Sequence, residues 1–357
     1  MSHTEIPNTN YNQKIVEHTK DIDDSLFTTK VQLESDRNEE IVAPTLNFLQ
    51  DSWRRLKKNK GAMISFFVIS LIIIIAVFAP FFAPHDPNAQ NPAWSNLPPK
   101  IPGLEGFSWF NGMSVNRGGA LIDSYDQSGV PEGVYYYLGT DSLGRDLLSR
   151  IIFGTRISLI VAFAAALINL IFGIAYGMIS GWMGGRVDNL MQRVLEILSG
   201  VPNLVIVVLM LLVMNPGLVS IIITIALTSW ITMSRVVRAQ TIRLKQQEYV
   251  LAAQVLGQPT IKIMFKHILP NMMGLIIVQV MFALPSAIFF EAFLSFIGIG
   301  IPAPNASLGT LINDGYKTFR FLPHLMWYPA AVISIIMLSF NLLADGLRDA
   351  FDPKMKE

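Results

Sequence analysis

Long apolar stretches divide the chain at residues 61–83, 157–180, 190–214, 218–233, 272–297 and 325–344. Most reach or exceed the roughly 20 residues a helix needs to cross a ~30 Å hydrocarbon layer. The pattern predicts an all-α, polytopic membrane protein with six transmembrane helices. Polar segments sort around them. Residues 1–53 read as a polar, disordered tail in which 46–49 begin a surface helix. Residues 54–83 read as a basic collar and first span, and 84–154, rich in Pro, Gly, Asn and Ser, as a lobe with an interfacial helix at its end. Residues 155–350 hold the remaining five spans with a polar loop at 235–271, and 351–357 close the chain.

Composition agrees. At 52% hydrophobic and 15% charged residues over 357 positions, the chain is too apolar for an ordinary soluble domain. Net charge is only +1, so nothing steers it toward nucleic acid, and placement of charge matters more. The first 52 residues carry ten acidic and four basic side chains. They have neither the basic start nor the apolar core of a signal peptide. Arg54, Arg55, Lys57, Lys58 and Lys60 then precede the first span, which puts the amino terminus inside by the positive-inside rule. Counting spans leaves both termini and the 235–271 loop cytoplasmic and the 84–154 lobe outside. Arg235, Arg238, Arg243, Lys245, Lys262 and Lys266 against Glu248 support the loop's assignment. Zero cysteines exclude disulfides and thiolate chemistry.

Within that loop, residues 248–271 are polar enough for water yet flanked by apolar segments. They read as two short helices: Gly257 ends the first in the left-handed conformation, Pro259 opens the second, and Pro270 closes the unit. Ile261, Met264, Phe265, Ile268 and Leu269 recur as one apolar face of the second helix, with Lys262 and Lys266 pointing elsewhere. Ala252 and Ala253 leave the first helix with a nearly bare face, a surface another protein can approach.

This stretch resembles the membrane subunits of bacterial ABC importers, whose cytoplasmic loop carries E-A-A-x3-G-x9-I-x-L-P. Ala252, Ala253, Gly257, Leu269 and Pro270 match; Leu251 stands for the glutamate, with Glu248 one turn earlier, and His267 for the isoleucine. The segment LGTDSLGRDLLSR at 138–150 and the ending LADGLRDAFDPKMKE are similar to the C-type subunit of oligopeptide and dipeptide permeases. In 138–150, Leu143, Leu147, Leu148, Ile151 and Ile152 suit one face of an interfacial helix, with Asp141 paired to Arg145 and Asp146 to Arg150; Asp345, Arg348 and Asp349 are likewise spaced for pairing.

The resemblance implies a type I ABC importer permease fold and alternating access driven by ATPase closure. It also implies as partners a homologous B-type permease subunit, two ATPase subunits, an extracytoplasmic peptide-binding protein and a peptide cargo. The implied ATPase-coupling residues are Glu248, Leu251, Ala252, Ala253, Gly257, Lys262, Lys266, Leu269 and Pro270. A nickel-chelate importer is the alternative within the family, and a self-contained secondary carrier or a channel the alternatives outside it.

Few charges lie within the spans. Arg193 and Glu196 suit a structural pair, while Glu291 is either a translocation-path candidate or a side chain snorkelling or bonded to backbone freed near Pro285. Pro202, Pro285 and the 298–300 Gly-Ile-Gly run are expected to kink or end helices, as gates or as static packing features. No phosphate loop, metal-ligand cluster, nucleophile elbow or triad is present in the sequence. The expectation is a non-catalytic subunit without cofactor or metal that draws its energy from partner ATPases.

Overall fold

The structure, a computed structural model, is described for residues 48–115 and 119–351. The expected disordered tail lies almost wholly outside these residues, as do positions 352–357. Helix α1, Phe48–Lys58, and helix α2, Lys60–Val77, meet at Asn59, whose side chain accepts a hydrogen bond from the Ala62 N–H at 3.1 Å and caps α2. A short helix α3, Ala79–Phe82, leads into the lobe. There β1, Met113–Val115, pairs antiparallel with β2, Leu121–Asp123, with Ser114 opposite Ile122, and α4, Ser124–Gln127, follows under an Asp123 cap. This ribbon is the only sheet among the described residues of an otherwise helical fold. Leu97, Tyr125 and Tyr136 form the lobe's small core.

The bundle proper consists of α5, Leu147–Met183; α6, Gly185–Gly200; α7, Asn203–Val213; α8, Leu218–Lys245; α9, Glu248–Val255; α10, Thr260–Ile263; α11, Leu269–Phe296; α12, Leu308–Thr318; and α13, His324–Phe351. Among the described residues, five helices are long and apolar enough to cross a membrane: α2, α5, α8, the run Thr260–Phe296 and α13. The pair α6 and α7, bent by 81° at the break between them, is apolar and long enough together to make a sixth if it counts as one broken span. The expected third span is therefore two helices, broken at Pro202, where a kink or an end is expected. Pro202 sits at the N-cap of α7, where residue 201 must leave helical backbone. Helix α2 ends at Val77, inside its apolar stretch, whereas α5, α8 and α13 run further than their apolar cores. At 37 residues α5 is about 55 Å long, well beyond the hydrocarbon layer, because it starts at the Asp146 cap rather than at the apolar core.

The end of the lobe corrects a second expectation. Residues 139–146 are a loop, not an interfacial helix. Gly139 and Gly144 have φ of +82° and +73°, and a Cβ on either would collide with the backbone of Leu97 or Asn91. Between them Thr140 donates to the Trp94 carbonyl at 2.6 Å and accepts from the Leu97 N–H at 2.8 Å. Asp141 does pair with Arg145, at 2.7 Å, but Asp146 does not pair with Arg150. It caps α5 through the Ser149 N–H and hydroxyl, and Arg150 lies 3.5 Å from Asp141 instead. The motif is a staple joining lobe to bundle.

Inside the bundle, faces differ in size more than in polarity. On α2, Ala62, Ser65, Ile69 and Ala76 face inward, while Ile64, Phe67, Leu71 and Ile74 are exposed and suited to lipid. The tightest contact joins α5 to α8. Gly173, Gly177 and Gly181 recur every four residues on α5, and a Cβ on each would meet Met233, Ser234 with Val237, and Thr241 of α8. Elsewhere Gly346 of α13 packs on Ala62 of α2, and Gly309 of α12 on Ala292 of α11. Asp345, Arg348 and Asp349 lie exposed on α13, and among the described residues no ion pair joins them.

Candidate functional site

The 248–271 unit projects from the α8 and α11 ends. Helix α9 ends at Gly257, whose φ is +73° as expected, and Pro259 is the N-cap residue of α10. Pro270 does not close the unit. Met264–Ile268 forms a π-helical step that runs straight into α11, with Pro270 in the first turn of α11 and the Asn271 side chain donating to the His267 carbonyl at 2.6 Å.

The predicted apolar face divides: Met264, Ile268 and Leu269 pack inward, while Ile261 and Phe265 are exposed. Val250, Ala253, Ile263, Ile268, Met272 and Ile276 face inward and share a core with Met178 of α5 and Met233, Val237 and Leu244 of α8. Each large side chain among them stabilises the unit by ~1.5–3 kcal/mol relative to exposure. The knob is thus fixed to three long helices and moves with them. Ala253 belongs to that interior, while Ala252 faces out. His267, in the family's isoleucine position, lies 3.0 Å through Nε2 from the Gln258 side-chain oxygen and ties the π-helical step back to the turn.

The outer surface is apolar at its tip. Val255 is 87% exposed, Leu256 85%, Ile261 71% and Phe265 63%, and none is covered by another of the described residues. Glu248, Leu251, Lys262, Lys266 and Pro270 are exposed around this tip, and Leu269 is half-buried. Val255 and Leu256 escaped the reading of the sequence because they follow the motif's alanines without being part of it. Exposed apolar patches rimmed by charge are characteristic of surfaces that meet a protein or a membrane.

Behind the knob, the α5–α6 turn is locked. Arg238 of α8 donates through Nε and Nη2 to the Asp188 carboxylate of α6 at 2.6 and 2.5 Å, and Ser180 of α5 donates to the same carboxylate at 2.5 Å. Lys245 donates to the Trp182 carbonyl at 2.6 Å and lies over its ring. Sequence counting treats Arg238 only as one of several loop cations, since its partner is 50 residues away. The expected Arg193–Glu196 pair forms at 2.7 Å on the exposed face of α6.

Deeper in the bundle, α5, α7, α8, α11 and α13 line an open cavity of about 520 Å³. Pro285 lines it, but Glu291 does not. The Glu291 carboxylate is fully buried, accepting from Ser158 of α5 at 2.8 Å and from Ser295 at 2.7 Å. Ser307, at the start of α12, donates onward to Ser295 at 3.2 Å. The side chain neither snorkels nor bonds backbone freed by Pro285; a cradle of serines holds it where three helices meet.

The family described as binding-protein-dependent transport system inner membrane component matches residues 173–357. The N-terminal transmembrane domain of oligopeptide transport permease C matches 47–99. The chain is 46% identical over 336 residues to the dipeptide transport system permease protein DppC of Lactococcus lactis, covering 93% of this chain and 98% of the relative. It is 41% identical over 319 residues to the oligopeptide transport system permease protein OppC of Bacillus subtilis, covering 89% and 94%. Among solved structures, an inward-facing conformation of the MetNI methionine ABC transporter aligns with 58% of this chain and 98% of its own, at 15% identity and a TM-score of 0.48.

Proposed function

Because the chain belongs to the C-type permease subunits of oligopeptide and dipeptide ABC importers, we propose that it forms half of a peptide path across the membrane and takes its energy from ATPase subunits docked at the 248–270 knob. Its partners on this reading are a B-type permease subunit, two ATPase subunits and an extracytoplasmic peptide-binding protein, with both termini and the knob in the cytoplasm. Glu248, Leu251, Ala252, Lys262 and Lys266 contact the ATPase groove, while Ala253, Gly257, Leu269 and Pro270 hold the knob's shape. The observation that carries the proposal is the exposed apolar tip on a base rooted in α5, α8 and α11. A rigid lever of this kind transmits displacement of its tip to the helices around the cavity, and the two states of the bundle need differ only in how those helices are disposed.

Copurification from native membranes in mild detergent tests it. Wild type should retain ATPase chains, and a Val255→Asp, Leu256→Asp double variant should lose them while keeping its B-type partner, since both side chains are exposed and their loss leaves the fold intact. Equal ATPase retention by both proteins overturns the proposed docking site.

A further inference from the structure

The cavity wall has an unusual composition for its depth. Its polar residues, among them Asn169, Thr228, Ser229, Thr232, Gln279 and Asn341, are all uncharged, and none of the described residues lining it is ionisable. Two of their atoms are buried without a hydrogen-bond partner: Oδ1 of Asn169, a residue only 5% exposed, and Oγ of Ser229. A buried acceptor without a donor is costly, and native proteins keep few of them. Asn169 lies midway along α5 and Ser229 on the facing α8, so both residues line one cavity.

Resting on the peptide-importer reading, we propose that Asn169 and Ser229 form a subsite that binds the backbone amides of the passing peptide, and that this step is blind to side-chain charge. Amide groups carry a donor and an acceptor together, and hydroxyls rotate to serve as either. A wall built from them can face a peptide N–H, a carbonyl or a terminal charge in turn. A fixed carboxylate or ammonium at this depth would instead hold cargo of the opposite sign and repel the other. Passage needs binding that is favourable yet weak enough to release, and neutral dipoles supply that balance for cargo of varied sequence. The feature common to all such cargo is the backbone amide, whose N–H matches the unpaired acceptor that Asn169 holds beside the cavity.

The test uses the full chain assembled with its partner subunits in vesicles of phosphatidylcholine and phosphatidylglycerol, supplied with ATP and peptide-loaded binding protein. Initial uptake of labelled Ala-Lys-Ala and Ala-Glu-Ala is compared as a ratio, which cancels the binding protein's own preference between variants. Asn169→Asp should raise the lysyl-to-glutamyl ratio about tenfold over wild type, and Ser229→Asp should move it the same way. Asn169→Leu should slow both peptides alike. If Asn169→Asp fails to assemble, the Ser229→Asp ratio decides. An unchanged ratio in assembled Asp variants overturns the subsite while leaving the importer reading intact. Wild type that takes up neither peptide overturns the importer reading, and the subsite with it.

Discussion

Arg238 grips Asp188 with two parallel hydrogen bonds of 2.6 and 2.5 Å, although the residues lie 50 positions apart on α8 and α6. With Ser180 also donating to Asp188, the fork fastens the α5–α6 turn to the helix that leads into the knob. Removing the cation leaves a carboxylate in a largely buried site. Arg238→Met should therefore lower the thermal midpoint in detergent more than Asp188→Asn, Arg238→Met together, with a coupling of about 1–3 kcal/mol from the four-variant cycle. Additive midpoints would mean that the pair is idle.

The glycine stripe on α5 sets how closely α8 approaches. Gly177→Leu should disrupt that contact, at about 1–3 kcal/mol or more and with a visible drop in folded yield. Gly106→Ala, where the added Cβ meets nothing within 4 Å, should stay within about 0.5 kcal/mol of wild type. Size-exclusion profiles of the two variants distinguish a packing role from mere helix flexibility.

Glu291 is held by serine hydroxyls, and these can accept as well as donate. Glu291→Gln should keep peptide uptake within about twofold of wild type, whereas Glu291→Leu leaves the serines unpaired and should cost about 1–3 kcal/mol of stability. Loss of transport by a normally folded Glu291→Gln variant would place the carboxylate in the path after all.

In the lobe, burial pushes the Asp123 carboxyl up, but hydrogen bonds from the Lys100 ammonium at 2.9 Å and from the Tyr125 and Asp126 N–H groups outweigh it and hold the group below its usual range. A carboxylate lowered on folding stabilises above its unfolded value, and that contribution fades as pH falls through the folded one. Wild type should thus exceed Asp123→Asn in lobe stability by up to about 1 kcal/mol at neutral pH, and the advantage should vanish in acid. Limited proteolysis from about pH 3, below the ordinary carboxylate range, to about pH 7 reads the difference.

Much of this was legible from residue order. Apolar length announced the spans, Gly257 the left-handed end of α9, and Pro202 a break. Span ends were not: Arg, Gln and Lys side chains with helical propensity carry α8 past its apolar core, α5 starts early at the Asp146 cap, and α2 stops short at Val77. The Pro270 reading failed because a π-helical step lets a helix pass through a proline that local rules treat as a stop. The apolar face read for the second helix divides for the same reason: Met264, Ile268 and Leu269 pack on the core, while Ile261 and Phe265 stay exposed, since the step shifts the periodicity by one residue. The Glu291 cradle and the Asp188–Arg238 fork join positions 133 and 50 residues apart, which one sequence cannot pair. The Gly173, Gly177, Gly181 spacing, by contrast, was open to view as a close-packing signal.

The chain contains no cysteine, so a single introduced thiol reports from one place only. The most direct test labels Leu256→Cys at the knob tip with a membrane-impermeant maleimide in inside-out vesicles, with and without the ATPase subunits. Phe107→Cys, exposed in the lobe, serves as the reference in right-side-out vesicles. Docking at the knob predicts rapid labelling at position 256 in the free permease and strong protection once the ATPase subunits are bound, with position 107 unaffected by them. Equal labelling at 256 in both preparations, with the ATPase subunits demonstrably attached, would contradict it.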